Sequence, residues 1–383
     1  MQHIKLTIPG SFWDTQLYAG TLYAFDSLGG IFAVNWNSFI ANQFESLADL
    51  QTAIHVSFLE SDLFYTSSSQ KLLRDSEIKD IVASRFRQLA QYELTAELTG
   101  ANVVHSANPL PFPHADSEVY YRKLYVGLRD GVYSVCCSRR LSAQNQKRIW
   151  DAPVLDISAS DSYTSIAIAT GNDGLYEVTP GDDDNIPTPR LVTSSHCSSS
   201  EWSGQNIIAS SYTSPAYIAE FKKKKIPSNK KKSVRSFDKT IELSTIFGGT
   251  GYSWGSHDKL YMHRNGIIDC FRYSLNKKGA SSFQPLGGIS LANWKGKIVS
   301  ANVAAFGTII ECDNAIIVAK SNGEIITLHG EPVNWRIFPN SKYYKNQMHV
   351  IYDDRLEIYS FCHDYFVDQP NKNAGIAIKP YKY

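Results

Sequence analysis

The chain repeats one short unit along most of its length: two apolar strands joined by a polar turn. In Leu124–Val135 the turn is Asp130–Gly131, and in Ile166–Val178 it is Asp173–Gly174. An Asp-Gly or Asn-Gly pair between two apolar runs is a strong signal for a β-hairpin, because both residues tolerate a positive φ. Eight such units have turn centres near residues 28, 68, 130, 173, 214, 265, 322 and 354, of which the one at 68 is the weakest. The repeat therefore predicts an all-β chain.

The spacing of the turns indicates the architecture. Successive turns are about 40 to 60 residues apart, with one shorter final step, which is typical of propeller blades. Some hairpins follow a further strand, such as Val154–Ala159, and a strand followed by a hairpin is the inner part of a four-stranded blade. A β-sandwich, or two of them, is the alternative, but sandwiches rarely keep one period through so many copies. We predict a single β-propeller over residues 1–383 with seven four-stranded blades, or eight as the alternative.

In this architecture the chain resembles β-propeller repeat proteins, with divergent WD40-type or quinoprotein-like blades, over nearly its full length. Trp13–Asp14 and Trp150–Asp151 are Trp-Asp dipeptides, but neither ends the third strand of a hairpin, and no Gly-His pair precedes the repeats. The resemblance therefore implies the fold and no binding residue. Since a propeller must protect its sheet edges, either Ile4–Ile8 or Gly375–Lys379 is expected to complete the blade at the other end of the chain.

One long segment breaks the β-pattern. Apolar residues recur at three- and four-residue spacing between Asp75 and Gly100, which predicts a helical insertion over 75–100 that starts at Asp75 or Ser76 and ends at Gly100. A second helix is predicted over Ser38–Leu50. An apolar helical face outside a propeller must cover something, so the insertion packs either on its own propeller or on a partner protein.

A strongly basic segment is predicted to be a loop between two blades, over residues 222–235. It holds seven lysines and one arginine without an acidic residue. Such a run is either a solvated loop or a contact for an acidic protein surface, and less readily for nucleic acid, since it lacks aromatic stacking residues. The candidate partner-binding residues are Lys222, Lys223, Lys224, Lys225, Lys230, Lys231, Lys232 and Arg235.

Charge and cysteine content favour a cytoplasmic protein. The 38 Lys+Arg against 37 Asp+Glu give a net charge of +1, so no global field draws the chain to nucleic acid or a membrane. Six dispersed cysteines form no disulfide scaffold and no CxxC pair. We find neither a secretory signal nor an apolar run long enough to span a membrane, and expect reduced thiols and no membrane partner.

No motif for catalysis, cofactor or metal is recognisable. The chain has no GxSxG, GxxxxGK[ST] or HExxH pattern, and Gly248–Gly251 leads into Tyr252 rather than a helix. We therefore expect a non-catalytic scaffold, adaptor or regulatory subunit that binds one or more proteins through propeller loops and the helical insertion. The alternative is an enzyme or small-ligand binder in the central channel, which a cluster of perturbed carboxylates there would favour. Nucleic-acid contact through the basic loop is a weaker alternative.

Overall fold

All but one of the predicted hairpins pair as antiparallel strands in the computed structural model of the chain. The structure describes residues 3–138, 141, 145–160, 162–180, 188–226, 229–276, 280–291, 296–320 and 323–361, and the side chains of residues 225–233 lie outside the description. At Asn265–Gly266 both residues have positive φ, 52° and 76°, as a two-residue hairpin of type I′ requires.

The first fourteen strands of the described chain are β1 (Ile4–Pro9), β2 (Phe12–Tyr18), β3 (Thr21–Asp26), β4 (Gly30–Asn35), β5 (Leu94–Thr95), β6 (Val103–Ala107), β7 (Asp116–Tyr120), β8 (Lys123–Leu128), β9 (Gly131–Cys136), β10 (Lys147–Trp150), β11 (Asp156–Ala159), β12 (Ile166–Ala169), β13 (Leu175–Val178) and β14 (Arg190–Thr193). The next eight are β15 (Ser199–Ser203), β16 (Asn206–Ser210), β17 (Tyr217–Ile226), β18 (Asn229–Glu242), β19 (Tyr252–Ser256), β20 (Lys259–Arg264), β21 (Ile267–Leu275) and β22 (Ser281–Ser290). The last seven are β23 (Ile298–Ala304), β24 (Gly307–Cys312), β25 (Ala315–Lys320), β26 (Ile325–His329), β27 (Asn334–Ile337), β28 (Gln347–Tyr352) and β29 (Arg355–Ser360).

These strands form seven sheets within the described residues. Six have four strands, in the orders β2-β3-β4-β6, β7-β8-β9-β10, β11-β12-β13-β14, β15-β16-β17-β18, β19-β20-β21-β22 and β23-β24-β25-β26. The seventh, β27-β28-β29-β1-β5, is a blade of four strands with the two-residue β5 added at its edge. The predicted all-β fold, a β-propeller of seven four-stranded blades with a helical insertion, is confirmed.

The eighth predicted hairpin, near residue 68, is wrong. Leu63–Tyr65 is a short 3-10 helix, and Ser67–Leu72 is an α-helix. The Thr66 hydroxyl accepts a hydrogen bond from the Ser69 N–H at 3.3 Å. The polar run of hydroxyl residues therefore caps a helix, where the pattern was interpreted as a turn.

The helices are α1 (Trp36–Gln43), α2 (Gln51–Phe58), α3 (Ser67–Leu72), α4 (Ser76–Leu89) and α5 (Leu243–Phe247), with a further 3-10 helix at Ala48–Leu50. The second predicted helix, Ser38–Leu50, is thus a helix at Trp36–Gln43 and a separate short turn. Helix α4 begins as predicted, because the Asp75 carboxylate caps it by accepting the Glu77 N–H at 2.9 Å. It ends at Leu89, well before Gly100, since the chain must turn there to bring β5 beside β1.

The predicted inter-blade loop at 222–235 is instead part of a long β-hairpin. Its residues belong to β17 and β18, the third and fourth strands of one blade, which pair from Tyr217↔Glu242 to Ile226↔Asn229. The backbone pairing that starts inside the blade continues through the lysines. Lysines on an open ribbon also hinder pairing with other strands, so the charge is compatible with β-structure here.

The described chain divides into two compact units. Unit 1 comprises residues 1–108, 138–141 and 303–383, and unit 2 comprises residues 109–137 and 142–302. In unit 1 strand β1 pairs with β29 from Ile4↔Ser360 to Pro9↔Arg355, which confirms that Ile4–Ile8 completes the last blade. Gly375–Lys379, the other predicted closing segment, lies outside the described residues.

Each unit has its own apolar interior. In unit 1 one large core joins β1, β2 and β29 to the segment Trp36–Asn102, which leaves the first blade after β4 and returns to it at β6. We call this segment the insertion. In unit 2 smaller cores lie between neighbouring sheets, such as the one that places Trp202 of β15 with Ala167 and Leu175.

Candidate interaction surfaces

The hairpin of β17 and β18 extends past the strand beside it. Strand β16 pairs with β17 only over Ile207↔Ala219 to Ala209↔Tyr217. The pairing of β17 with β18 continues from Glu220 to Ile226. At about 3.3 Å per residue this extension is roughly 23 Å long. We call residues 220–239 the basic ribbon.

Arg235 fixes the base of the basic ribbon to the body of unit 2. Its side chain is only 8% exposed and forms an ion pair with Glu177 of β13. Its Nε donates to the Gln205 carbonyl at 2.6 Å, and its guanidinium lies 3.3 Å from the ring centre of Phe221. Burial lowers the pKa of Arg235 to about 10, while Glu177 opposes that shift, so the side chain stays charged at neutral pH. Although Arg235 was predicted to bind a partner, the structure places it in contacts within the chain.

The described lysines of the basic ribbon are directed to solvent. Lys222 is 60% exposed and forms an ion pair with Asp238 at 2.7 Å, and Lys223 and Lys224 are exposed as well. The side chains of Lys225, Lys230, Lys231 and Lys232 lie outside the described residues, although the backbone places all four in β17 and β18. Partner binding by these seven lysines stays a prediction.

The insertion has one buried and one exposed apolar face. Phe86 and Leu89 of α4 are buried in the core of unit 1. On the outer side Ile81 is 58% exposed, and Leu72 at the end of α3 is 61% exposed. Exposed branched side chains this close together in sequence are a feature of protein-binding surfaces. The insertion thus both packs on its own unit and leaves apolar side chains in solvent.

A perturbed carboxyl group lies among the inner strands of unit 2. Glu201 of β15 accepts a hydrogen bond from the Asn302 amide of β23 at 2.6 Å. Burial raises the pKa of Glu201 to about 7, and the negative charge of Asp116 on β7 adds to the rise. The Asp116 carboxylate itself accepts the Ile157 N–H at 2.7 Å. Residues from three sheets meet here, and no motif in the sequence indicates that they do.

A buried histidine in unit 1 forms a second perturbed site. Thr15 of β2 and His349 of β28 share a hydrogen bond of 3.0 Å between Oγ1 and Nδ1. Burial lowers the pKa of His349 to about 3, against the opposing effect of the Asp14 carboxylate. Asp14 in turn holds Arg336 of β27 through two hydrogen bonds, at 2.6 and 2.7 Å. His349 is therefore neutral over the physiological pH range.

The described residues hold few other features with site chemistry. Searched within the described ranges, the chain has no group of three or more His, Cys, Asp or Glu side chains arranged to bind a metal ion. None of the helices in those ranges has the length and apolar character needed to cross a bilayer. Cys136, Cys137, Cys197, Cys270 and Cys312 are free thiols.

Comparison with known proteins adds two similar structures. No protein-family model matches the sequence, and no curated protein matches it either. The β-propeller domain of Cps50 (Swd1) from Myceliophteria thermophila is 10% identical, with a TM-score of 0.49 over 92% of this chain and 96% of that one. The WD40 β-propeller domain of Doa1 is 12% identical, with a TM-score of 0.36 over 65% of this chain and 92% of that one. Both are β-propeller domains, the fold that the seven sheets establish here.

Proposed function

We propose that the protein is a non-catalytic protein-interaction scaffold whose basic ribbon binds an acidic surface of a partner protein. One observation carries the proposal: the ribbon extends beyond its blade with seven lysines, and no acidic residue lies between 222 and 235. A scaffold that is a regulatory or adaptor subunit in the cytoplasm is the finer form of this proposal.

The charge distribution supports a partner that is acidic over a limited area. Without the eight cations of residues 222–235, the chain keeps 30 of its 38 basic residues against 37 acidic ones, a net charge of −7. A long polyanion would meet repulsion from this remainder wherever it passed beyond the ribbon. A folded acidic protein surface that contacts the ribbon alone avoids that cost.

The geometry at the base of the ribbon also supports binding. Since Arg235 fixes the base of the ribbon to β13 and β15, the lysines start from a fixed position, and less entropy is lost when a partner binds. The outer face of the insertion, with Leu72 and Ile81, is a second candidate docking surface for the same kind of function.

The test measures binding of two polyanions, polyglutamate and a duplex DNA oligonucleotide, by fluorescence anisotropy over a range of salt concentrations. The variant K222E/K223E/K224E reverses the charge of the three described lysines. A matched control, R129E/K297E/K342E, reverses three other exposed cations. We expect polyglutamate to bind the intact protein and the control equally, and the ribbon variant at least tenfold more weakly.

Two results contradict the proposal. Equal losses of polyglutamate binding in the ribbon variant and in the control would show that only general charge matters. Tighter binding to the duplex than to polyglutamate, with a steep dependence on salt, would make nucleic acid the ligand of the ribbon.

A second candidate function, small-ligand binding in unit 2, is favoured by the raised pKa of Glu201 beside Asp116. Carboxyl groups with perturbed pKa values are common at ligand and catalytic sites. A thermal-shift screen of small amines and metal ions against wild type and Glu201→Gln tests it. A ligand that stabilises only the wild type supports this function, and no such ligand in the screen counts against it.

A further inference from the structure

The insertion reaches from the first blade to the strand that closes the last blade. Strand β5, near the end of the insertion, pairs in parallel with β1 through Leu6↔Leu94 and Thr7↔Thr95. The Ala96 N–H also donates to the Thr7 carbonyl at 3.0 Å. Strand β1 therefore has a hydrogen-bonded neighbour on both edges, β29 on one and the insertion on the other.

Apolar packing strengthens this contact on the β5 side. Ile4, Leu6 and Ile8 alternate along β1 as buried residues. Phe86, Leu89 and Leu94 of the insertion are buried in the same core. Because each of these side chains leaves water when the insertion docks, this end of the contact is held by the hydrophobic effect.

The other end of the insertion is held by polar contacts to β28 and the segment before it. The Gln347 amide donates to the Phe58 and Ser57 carbonyls at the end of α2, at 2.9 and 3.2 Å. The Ser61 N–H donates to the Tyr343 carbonyl at 2.9 Å. Lys345 and Asp62 form an ion pair of 2.7 Å.

This polar end also contains buried groups without hydrogen-bond partners. They are the Ser61 hydroxyl, both polar atoms of the Asn346 amide and the Gln347 carbonyl oxygen. A buried polar group without a partner opposes docking, because it keeps the cost of leaving water and gains no bond. The insertion is therefore held tightly at β5 and α4 and less tightly at α2.

We propose that the insertion is a clasp that locks β1 onto the last blade and that opens first at its polar end. Opening at α2 leaves β5 and α4 on β1, so the blade stays closed. Release of β5 exposes the outer edge of β1, and the closing strand is then held by β29 alone.

A disulfide between Thr7 and Thr95 tests the proposal within one protein. Both residues are partners on adjacent strands, and strands about 4.8 Å apart lie within the Cα separation that a disulfide bridges. The variant T7C/T95C is compared in oxidised and reduced form by hydrogen exchange with mass spectrometry. We expect oxidation to slow exchange in residues 3–10 about tenfold. S274C/S282C, also exposed strand partners, serves as the control and leaves residues 3–10 unchanged.

A second variant tests the order of opening. Gln347→Met keeps the size of the side chain and removes both bonds to α2, so exchange in residues 51–61 is expected to rise about tenfold while residues 3–10 change little. Exchange in β15 and β16 reports global unfolding in every sample. If residues 3–10 exchange equally in the oxidised and reduced forms, or only as fast as β15 and β16, the insertion is not a clasp.

Discussion

Two buried ionisable groups, His349 in unit 1 and Glu201 in unit 2, respond to burial in opposite senses of pH. Burial favours the neutral form of both, which lowers the pKa of the histidine to about 3 and raises that of the carboxyl to about 7. His349 therefore resists gaining a proton, and Glu201 resists losing one. The comparison shows that one physical cause makes unit 1 sensitive to acid and unit 2 sensitive to base.

Arg235 is the buried group that departs from this rule, and it carries the largest expected effect. It stays charged because Glu177 faces it. Arg235→Met keeps most of the volume and leaves Glu177 with Arg190 as its remaining partner. Breaking a buried pair by removing one partner costs about 3 kcal/mol. We expect urea unfolding, followed by hydrogen exchange in unit 2, to show this loss at every pH from 5 to 8.

A control separates the ion pair from packing. Arg190→Met removes the exposed partner of Glu177, and the loss of stability is expected to stay below about 1 kcal/mol. Equal losses in the two variants would mean that burial of Arg235 contributes nothing of its own.

The acid sensitivity of unit 1 depends on His349. Its pKa is about 3 in the folded chain and near 6.5 when unfolded, so the unfolded state binds more protons between these values. Stability is full above pH 6.5 and is lost as pH falls toward 3. His349→Asn keeps a partner for Thr15 and cannot gain this proton. We expect the variant to lose about 2 kcal/mol less than wild type between pH 7 and pH 4, measured by exchange in unit 1.

Parallel pH profiles of wild type and His349→Asn would assign the acid sensitivity to other groups. Thr15→Val, which removes the hydrogen bond and keeps the histidine, is the control that should retain the wild-type pH profile.

The base sensitivity of unit 2 depends on Glu201 and is expected to be smaller. The folded pKa of about 7 lies above the unfolded value near 4.5, so the folded state binds more protons between these values. Stability is full below pH 4.5 and falls as pH rises to 7. Glu201→Gln keeps an acceptor for Asn302 and is expected to be about 1 to 2 kcal/mol more stable than wild type at pH 8, with no gain at pH 4.

Asn302→Ala provides a counterpart for that profile. Because the hydrogen bond from Asn302 lowers the pKa of Glu201, its loss should move the base-induced loss of stability to higher pH. A gain in Glu201→Gln that is the same at pH 4 and pH 8 would show that ionisation of Glu201 is not its cause.

Local signals in the sequence were enough for the hairpins and for the start of α4. Asn265–Gly266 adopts the turn that its residue types favour, and Asp75 caps the helix as expected. These features depend on neighbours in sequence, which the chain displays directly. The end of α4 depends on the pairing of Leu94 with Leu6, a contact that no local pattern indicates.

The candidate site was less predictable because its contacts are distant in sequence. Lysines are depleted in strands, so Lys222–Arg235 was interpreted as a loop, although pairing begun at Tyr217↔Glu242 carries it into a hairpin. Arg235 was grouped with the lysines by charge, while its burial depends on Glu177 and Trp202. Glu201 and Asn302 meet only after the sheets between them have formed.

The closing of the last blade by β1 has a consequence for synthesis on the ribosome. Ile4 leaves the ribosome long before its partner Ser360. At about 5 to 20 residues per second the delay is roughly 20 to 70 s. Strand β5 leaves much earlier, within roughly 5 to 20 s at the same rates. The nascent chain can thus shield the apolar side of β1 with the insertion while the other blades are still being translated.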